Sequence, residues 1–267
     1  MSMEMGFIGN NSLEDVKADA KFSEENGFAA LEYNYWGNFK DLTQETVEKM
    51  REILDDHNIE VSSLGIWGWN HMAKDTSERE TAHEMLKRAI KFGKILRAHI
   101  LVAGGGDIEG ASLDKKVEEF SKVFPPFLEE IEKAGMKIAM YAVHGNSFFD
   151  SIQAYEKVWE KFPNVGVKYD PANWCHHGDD YLALPRLHGD KIYHFHIKEH
   201  IYHDGQLVSQ PAAGMGDIHW GKLMAYLYEH DYQGYLSIEP HGPIWSRGEM
   251  RDKMLLLTKK YMSQFLL

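Results

Sequence analysis

Cysteine is almost absent from this sequence. Its 267 residues include one, Cys175, so no internal disulfide can form and a reducing cytoplasm is the expected compartment. Positive charge is also short. Lys plus Arg is 29 against 41 for Asp plus Glu, a formal net charge of −12. Nucleic acid is therefore not an expected partner, because phosphate backbones are held by basic faces. Long apolar runs are missing too. Stretches such as Ile138 to Val143 are far too short to span a bilayer, and no membrane partner is expected. Met1 to Gly9 has no basic segment followed by a long apolar one, so no secretory leader is expected. No Ser/Gly linker, charge block or low-complexity tract divides the chain, which predicts one domain over residues 1–267. No Gly-x-Gly-x-x-Gly follows the first predicted strand, and Gly104-Gly105-Gly106 lacks the Gly-Lys-Ser/Thr of a phosphate loop. The glycine run reads instead as a permissive exit from a strand.

What the sequence does contain is a repeating alternation. Apolar residues make up 43% and charged residues 26%, enough for a sizeable core. Short apolar runs predict strands at Met5–Ile8, Phe28–Tyr33, Ile59–Ile66, His99–Val102, Lys137–Val143, Val165–Tyr169, Ile192–Ile197 and Tyr235–Ile238. Amphipathic stretches between them predict helices. One follows the cap residues Asn10-Asn11-Ser12 and ends at Gly27. Others cover Thr43–His57, Glu78–Leu96, Leu113–Ala134 (kinked at Pro125-Pro126), Ser151–Phe162, roughly Tyr181–Leu187, Trp220–Glu229 and Arg251–Phe265. Eight strand–helix pairs imply a parallel sheet with right-handed crossovers. In a chain of this length they favour a closed (β/α)8 TIM barrel, with an open doubly wound sheet as the alternative.

Catalytic residues of such barrels stand where strands end. The later strand ends supply His144, Asp170, His196 and Glu239, and most of the fifteen histidines lie between His144 and His241. Two carboxylates with one or two imidazoles suit Mn, Fe, Co, Ni or Zn better than Ca or Mg. Each residue alone also has a plain structural reading. Asp170 before Pro171 could cap a turn, and His196 could be a hydrogen-bonded core histidine. Glu239 ends a buried strand and needs a partner to offset desolvation. Together, each at its own strand end, they predict a divalent-metal site.

These endings resemble the xylose-isomerase-like family of sugar isomerases and epimerases, to which endonuclease IV is related. The most specific segments are Val167-Lys168-Tyr169-Asp170-Pro171-Ala172-Asn173, His194-Phe195-His196-Ile197-Lys198, Gly214 to Trp220, and Tyr232 to Glu239. The resemblance implies that Asp170, His196 and Glu239 bind one divalent metal. The family's usual fourth ligand, a Glu ending strand five, is missing, and Tyr141 stands in its place. His144, Asn146 or water could fill the vacancy. In the family's epimerases that Glu and the one on strand eight shuttle a proton, so one of the two bases is absent here. The family also implies a dimer or tetramer.

The remaining groups still support proton transfer at a carbon next to a carbonyl. Glu239 is the expected base. Lys198 follows His196 by two residues, on the same side of the strand, and either stabilises an oxyanion or pairs with a carboxylate such as Asp170. His144 and His241 are candidates for the missing acid or base. Trp36 and Trp67 would cover the apolar face of a sugar, His71 and Asn173 are further candidate substrate contacts, and Glu32 would either bind a hydroxyl or pair across the barrel. The loop from His200 to Gly216 is long enough for a lid. The leading expectation is a metal-dependent isomerase or epimerase of a small carbohydrate. A dehydratase or lyase acting on a polyol or keto-inositol needs only one base and is the competing enzyme. A sugar-binding barrel with a degenerate metal site, without turnover, is the reading from another class.

Overall fold

A computed structural model describes residues 3–267. The expectations of one domain over 1–267 and of no leader from Met1 include Met1 and Ser2, which lie outside the described residues. Eight parallel strands close on themselves: β1 (Glu4–Ile8), β2 (Ala30–Tyr35), β3 (Glu60–Ile66), β4 (Ile100–Ala103), β5 (Lys137–Tyr141), β6 (Gly166–Tyr169), β7 (Ile192–Ile197) and β10 (Tyr235–Ile238). The ring runs β1-β10-β7-β6-β5-β4-β3-β2, so the first and last strands seal the barrel, with Met5 opposite Leu236 and Phe7 opposite Ile238. The fold is a (β/α)8 barrel, and the open-sheet alternative falls with that closure. Among the described residues no helix is long and apolar enough to cross a membrane.

Helices form where the predicted caps are satisfied. Ser12 accepts from the Asp15 amide to start α1 (Leu13–Asn26), and Gly27 ends it in the left-handed region at φ 66°. The stretch predicted as one kinked helix is two, α4 (Leu113–Val123) and α5 (Pro125–Lys133). Pro125 has no N–H to donate back and its fixed φ starts a new helix instead. One helix was not expected, α7 (Pro171–His177). Asp170 is its N-cap, accepting from the Asn173 amide at 3.1 Å, and Gly178 ends it. The predicted loop after His200 contains an antiparallel hairpin, β8 (Ile201–His203) with β9 (Gln206–Ser209).

The main core lies between the strands and the surrounding helices. A smaller apolar cluster of Trp67, Ile100, Val102, Ala139 and Tyr141 stands apart from it. Polar side chains also meet inside the barrel. Glu32 of β2 touches His194 and His196 of β7, although β1 and β10 separate those strands around the ring. Contacts of this kind must cross the lumen.

Candidate metal centre and active site

Three strand ends converge at the C-terminal mouth. The Nδ1 of His196 lies 2.8 Å from Oε2 of Glu239 and 3.6 Å from Oδ2 of Asp170. One donor atom from each of the three residues lies within 4.8 Å of the others. On its far side the same imidazole meets Glu32, with Nε2 2.9 Å from the carboxylate. Glu32 is fully buried. It also accepts from Ser237 at 2.5 Å and Asn34 at 2.7 Å, and lies 2.7 Å from Nε2 of His194. A carboxylate behind a ligand imidazole is the usual way its ring and tautomer are fixed. The donor set, two carboxylate oxygens and one oriented imidazole nitrogen, fits a divalent transition ion.

Two buried lysines share the site. Lys168 Nζ is 3.3 Å from Asp170, and Lys198 Nζ is 3.0 Å from Glu239. The partner of Lys198 is thus Glu239, and Asp170 belongs to Lys168. Burial alone would raise the Asp170 carboxyl, but Lys168, Lys198 and the His196 hydrogen bond outweigh it and bring it to about 2. Burial of Glu239 is likewise outweighed by Lys198, His196 and His241, which hold it well below the usual carboxylate range. Burial lowers His196, yet Glu32, Asp170 and Glu239 together lift it to about 10.

The cluster borders a mouth cavity of about 430 Å³ lined among others by Trp36, Trp67, His144, Asn173, Lys198 and His241. Trp67 stacks on Tyr141 at 4.3 Å and on Trp36 at 5.6 Å, and Trp36 stays half exposed at the rim. Asn173 is held between His144, at 3.1 Å from Nε2, and Lys198, at 3.3 Å. His241 sits 3.1 Å from Glu239.

Two placements differ from expectation. His144 does not enter the ligand group. Burial and Lys168 push it down to about 4, so its neutral ring accepts from the Asn173 amide. His71 does not reach the cavity. It is buried against Phe124 and His83, away from the strand-end carboxylates. Of the two readings of Glu32, the structure has the pairing across the barrel: it lies beneath the cavity rather than in its wall, as a partner of His196. Tyr141 also explains itself. Its hydroxyl accepts from the Gly68 amide at 3.2 Å and reaches the Gly145 carbonyl at 3.4 Å, and burial lifts it to about 12. A Cβ at Gly104 would lie 2.4 Å from that hydroxyl, which is why the strand exit needs glycine there.

Lys168, His194 and Asn34 were missed as site residues. The rule that found Lys198, two residues from a ligand on the same side of a strand, would also have found Lys168 from Asp170.

A closed parallel barrel with a carboxylate–imidazole cluster at its C-terminal mouth defines a (β/α)8 protein with a metal-type site. The sequence matches the xylose isomerase-like TIM barrel family over residues 20–260, and the chain belongs to that family. No curated protein matches it. Several solved structures share the fold. The IolI protein with a bound zinc atom is 17% identical, with a TM-score of 0.76 over 98% of both chains. D-allulose 3-epimerase from Methylomonas sp., in complex with D-allulose, is 15% identical, with a TM-score of 0.78 over 98% of this chain and 97% of that one. The probable 3-DHS dehydratase AsbF from Bacillus anthracis is 16% identical, with a TM-score of 0.73 over 98% of this chain and 99% of that one.

Proposed function

We propose that the protein is a cytoplasmic, divalent-metal-dependent isomerase or epimerase of a small carbohydrate. The observation that carries this reading is the convergence of Asp170, His196 and Glu239 beside the mouth cavity. Those three residues would hold a Mn, Zn, Co, Fe or Ni ion, with Tyr141 supplying no ligand. A divalent ion bound there polarises the carbonyl and neighbouring hydroxyl of a sugar and so acidifies the C–H between them. Glu239, ionised and partly exposed, takes that proton. Lys198, 3.0 Å from the same carboxylate, meets the negative charge that builds on the sugar oxygen. His241, 3.1 Å from Glu239 on its solvent side, relays the proton that Glu239 takes up. Trp36 and Trp67 cover the apolar face of the sugar and exclude water. The zinc of IolI and the D-allulose of the Methylomonas epimerase support the choice of metal and substrate class.

The second reading is dehydration of a polyol or keto-inositol. The Tyr141 hydroxyl is bonded to the Gly68 and Gly145 backbone and stays protonated, so the second carboxylate base of a two-base epimerisation has no counterpart here. Elimination needs one base and an acid for the leaving hydroxyl, and the relative AsbF supports it.

Incubating Mn- or Zn-loaded protein with ketose and aldose panels in heavy water separates the readings. Isomerisation or epimerisation puts solvent deuterium on the carbon next to the carbonyl. Dehydration gives a new conjugated absorbance. Neither signal with any member of the panels would overturn both.

A further inference from the structure

We propose that Lys168 and Lys198 form an anion-holding pair, and that the natural substrate carries a carboxylate. The inference rests on the metal-dependent reading above. Both lysines are buried, both line the mouth cavity, and each already touches a different ligand carboxylate. Lys168 also sits 5.3 Å above the Trp67 ring and pairs in register with Tyr141. It therefore places an ammonium beside the strand end that carries no carboxylate here.

The charge balance follows from those placements. Three carboxylates belong to the cluster: Asp170, Glu239 and, beneath them, Glu32. The next acidic group, Glu199, turns away and accepts from the Gly214 and Ile218 amides and the Trp220 indole. With the His196 ring neutral as a ligand, two ammonium groups and a divalent ion set against three carboxylates leave one positive charge. An unmatched charge in a largely buried site is costly, and a substrate that brings one negative charge removes that cost. A carboxylate brings one, whereas a phosphate monoester brings about −1.5 to −2 and overshoots. Ammonium–carboxylate hydrogen bonds are also among the stronger polar contacts.

Matched probes test this by calorimetry on Zn-loaded protein with free metal dialysed away: threonate with threitol, gluconate with sorbitol, and glucuronate with glucose and glucose 6-phosphate. At least one acid is expected to bind roughly tenfold or more tighter than its neutral partner and tighter than the phosphate. Lys168→Met should shrink that preference, while Lys168→Arg, which keeps the charge, should retain it. Metal content and cooperative melting of each variant show whether the site itself survives. No acid binding tighter than its neutral partner, including no acid binding at about 10 mM, overturns the proposal, as does a preference unmoved in a folded Lys168→Met protein. Deuterium exchange is read separately. Exchange of neutral sugars without acid preference sinks this inference alone, and acid preference without exchange or dehydration sinks the reading it rests on.

Discussion

Glu32 makes four side-chain contacts in the lumen and none with solvent, so its effect reaches the ligand group through His196, while Asn34 links it to the cavity wall. Glu32→Gln should weaken divalent-metal affinity by roughly 10- to 100-fold, measured by competition with a chelating dye. His71 behaves differently. Neither of its ring nitrogens has a hydrogen-bond partner among the described residues, and burial with His83 nearby pushes it down to about 3. The folded chain thus refuses a proton that the unfolded chain accepts below its ordinary value. Stability is unaffected well above pH 6.5 and declines as pH falls from there towards 3. The slope is about 1.4 kcal/mol per pH unit. His71→Leu should therefore flatten the fall in melting temperature between pH 7 and pH 5. At this scale the sequence was readable where a polar residue ended an apolar strand, as with Asp170 and Glu239. It was opaque for pairing across the lumen, because the partners of Glu32 and His194 lie far away along the chain.

α7 shows how one side chain serves an element and a site together. Asp170 caps the helix through one carboxylate oxygen and faces His196 and Lys168 through the other. Cap and ligand were weighed as alternatives from the sequence, and the geometry accommodates both. Asp170→Asn should retain the cap, since asparagine caps equally well, but it leaves the buried Lys168 ammonium without its carboxylate and should cost up to about 3–5 kcal/mol in denaturant unfolding. Metal affinity should fall as well, which titration calorimetry would register. The exit of β4 makes a second test. Gly104→Ala would press a methyl into the Tyr141 hydroxyl and should cost roughly 1–3 kcal/mol in denaturant unfolding. Most strands and caps were legible because period and punctuation are local. α7 and the β8–β9 hairpin were not recognised, because short elements carry too few residues for a period.

The whole barrel is closed by its ends. β1 pairs with β10, and Arg251 of α10 (Gly248–Met262) grips Asp19 of α1 through two nitrogens, at 2.8 and 3.1 Å. Both side chains are largely buried, so Arg251→Leu should strand Asp19 and cost roughly 3–5 kcal/mol in chemical denaturation. Within the ring, the side-by-side pairing of β6, β7 and β10 brings strand ends separated by nearly seventy residues, Asp170 and Glu239, to one ligand group. The count of eight strand–helix pairs made the closure predictable, but the distances across the mouth depend on register, which no local pattern carries. Whether that group holds an ion is the most direct test of the site. After equilibrium dialysis against Zn²⁺, elemental analysis should find about one ion per chain in the native protein and under roughly a tenth in a folded Asp170→Asn, His196→Gln double variant. Native protein with under roughly a tenth of an ion per chain, or a double variant that still binds a full equivalent, would contradict it.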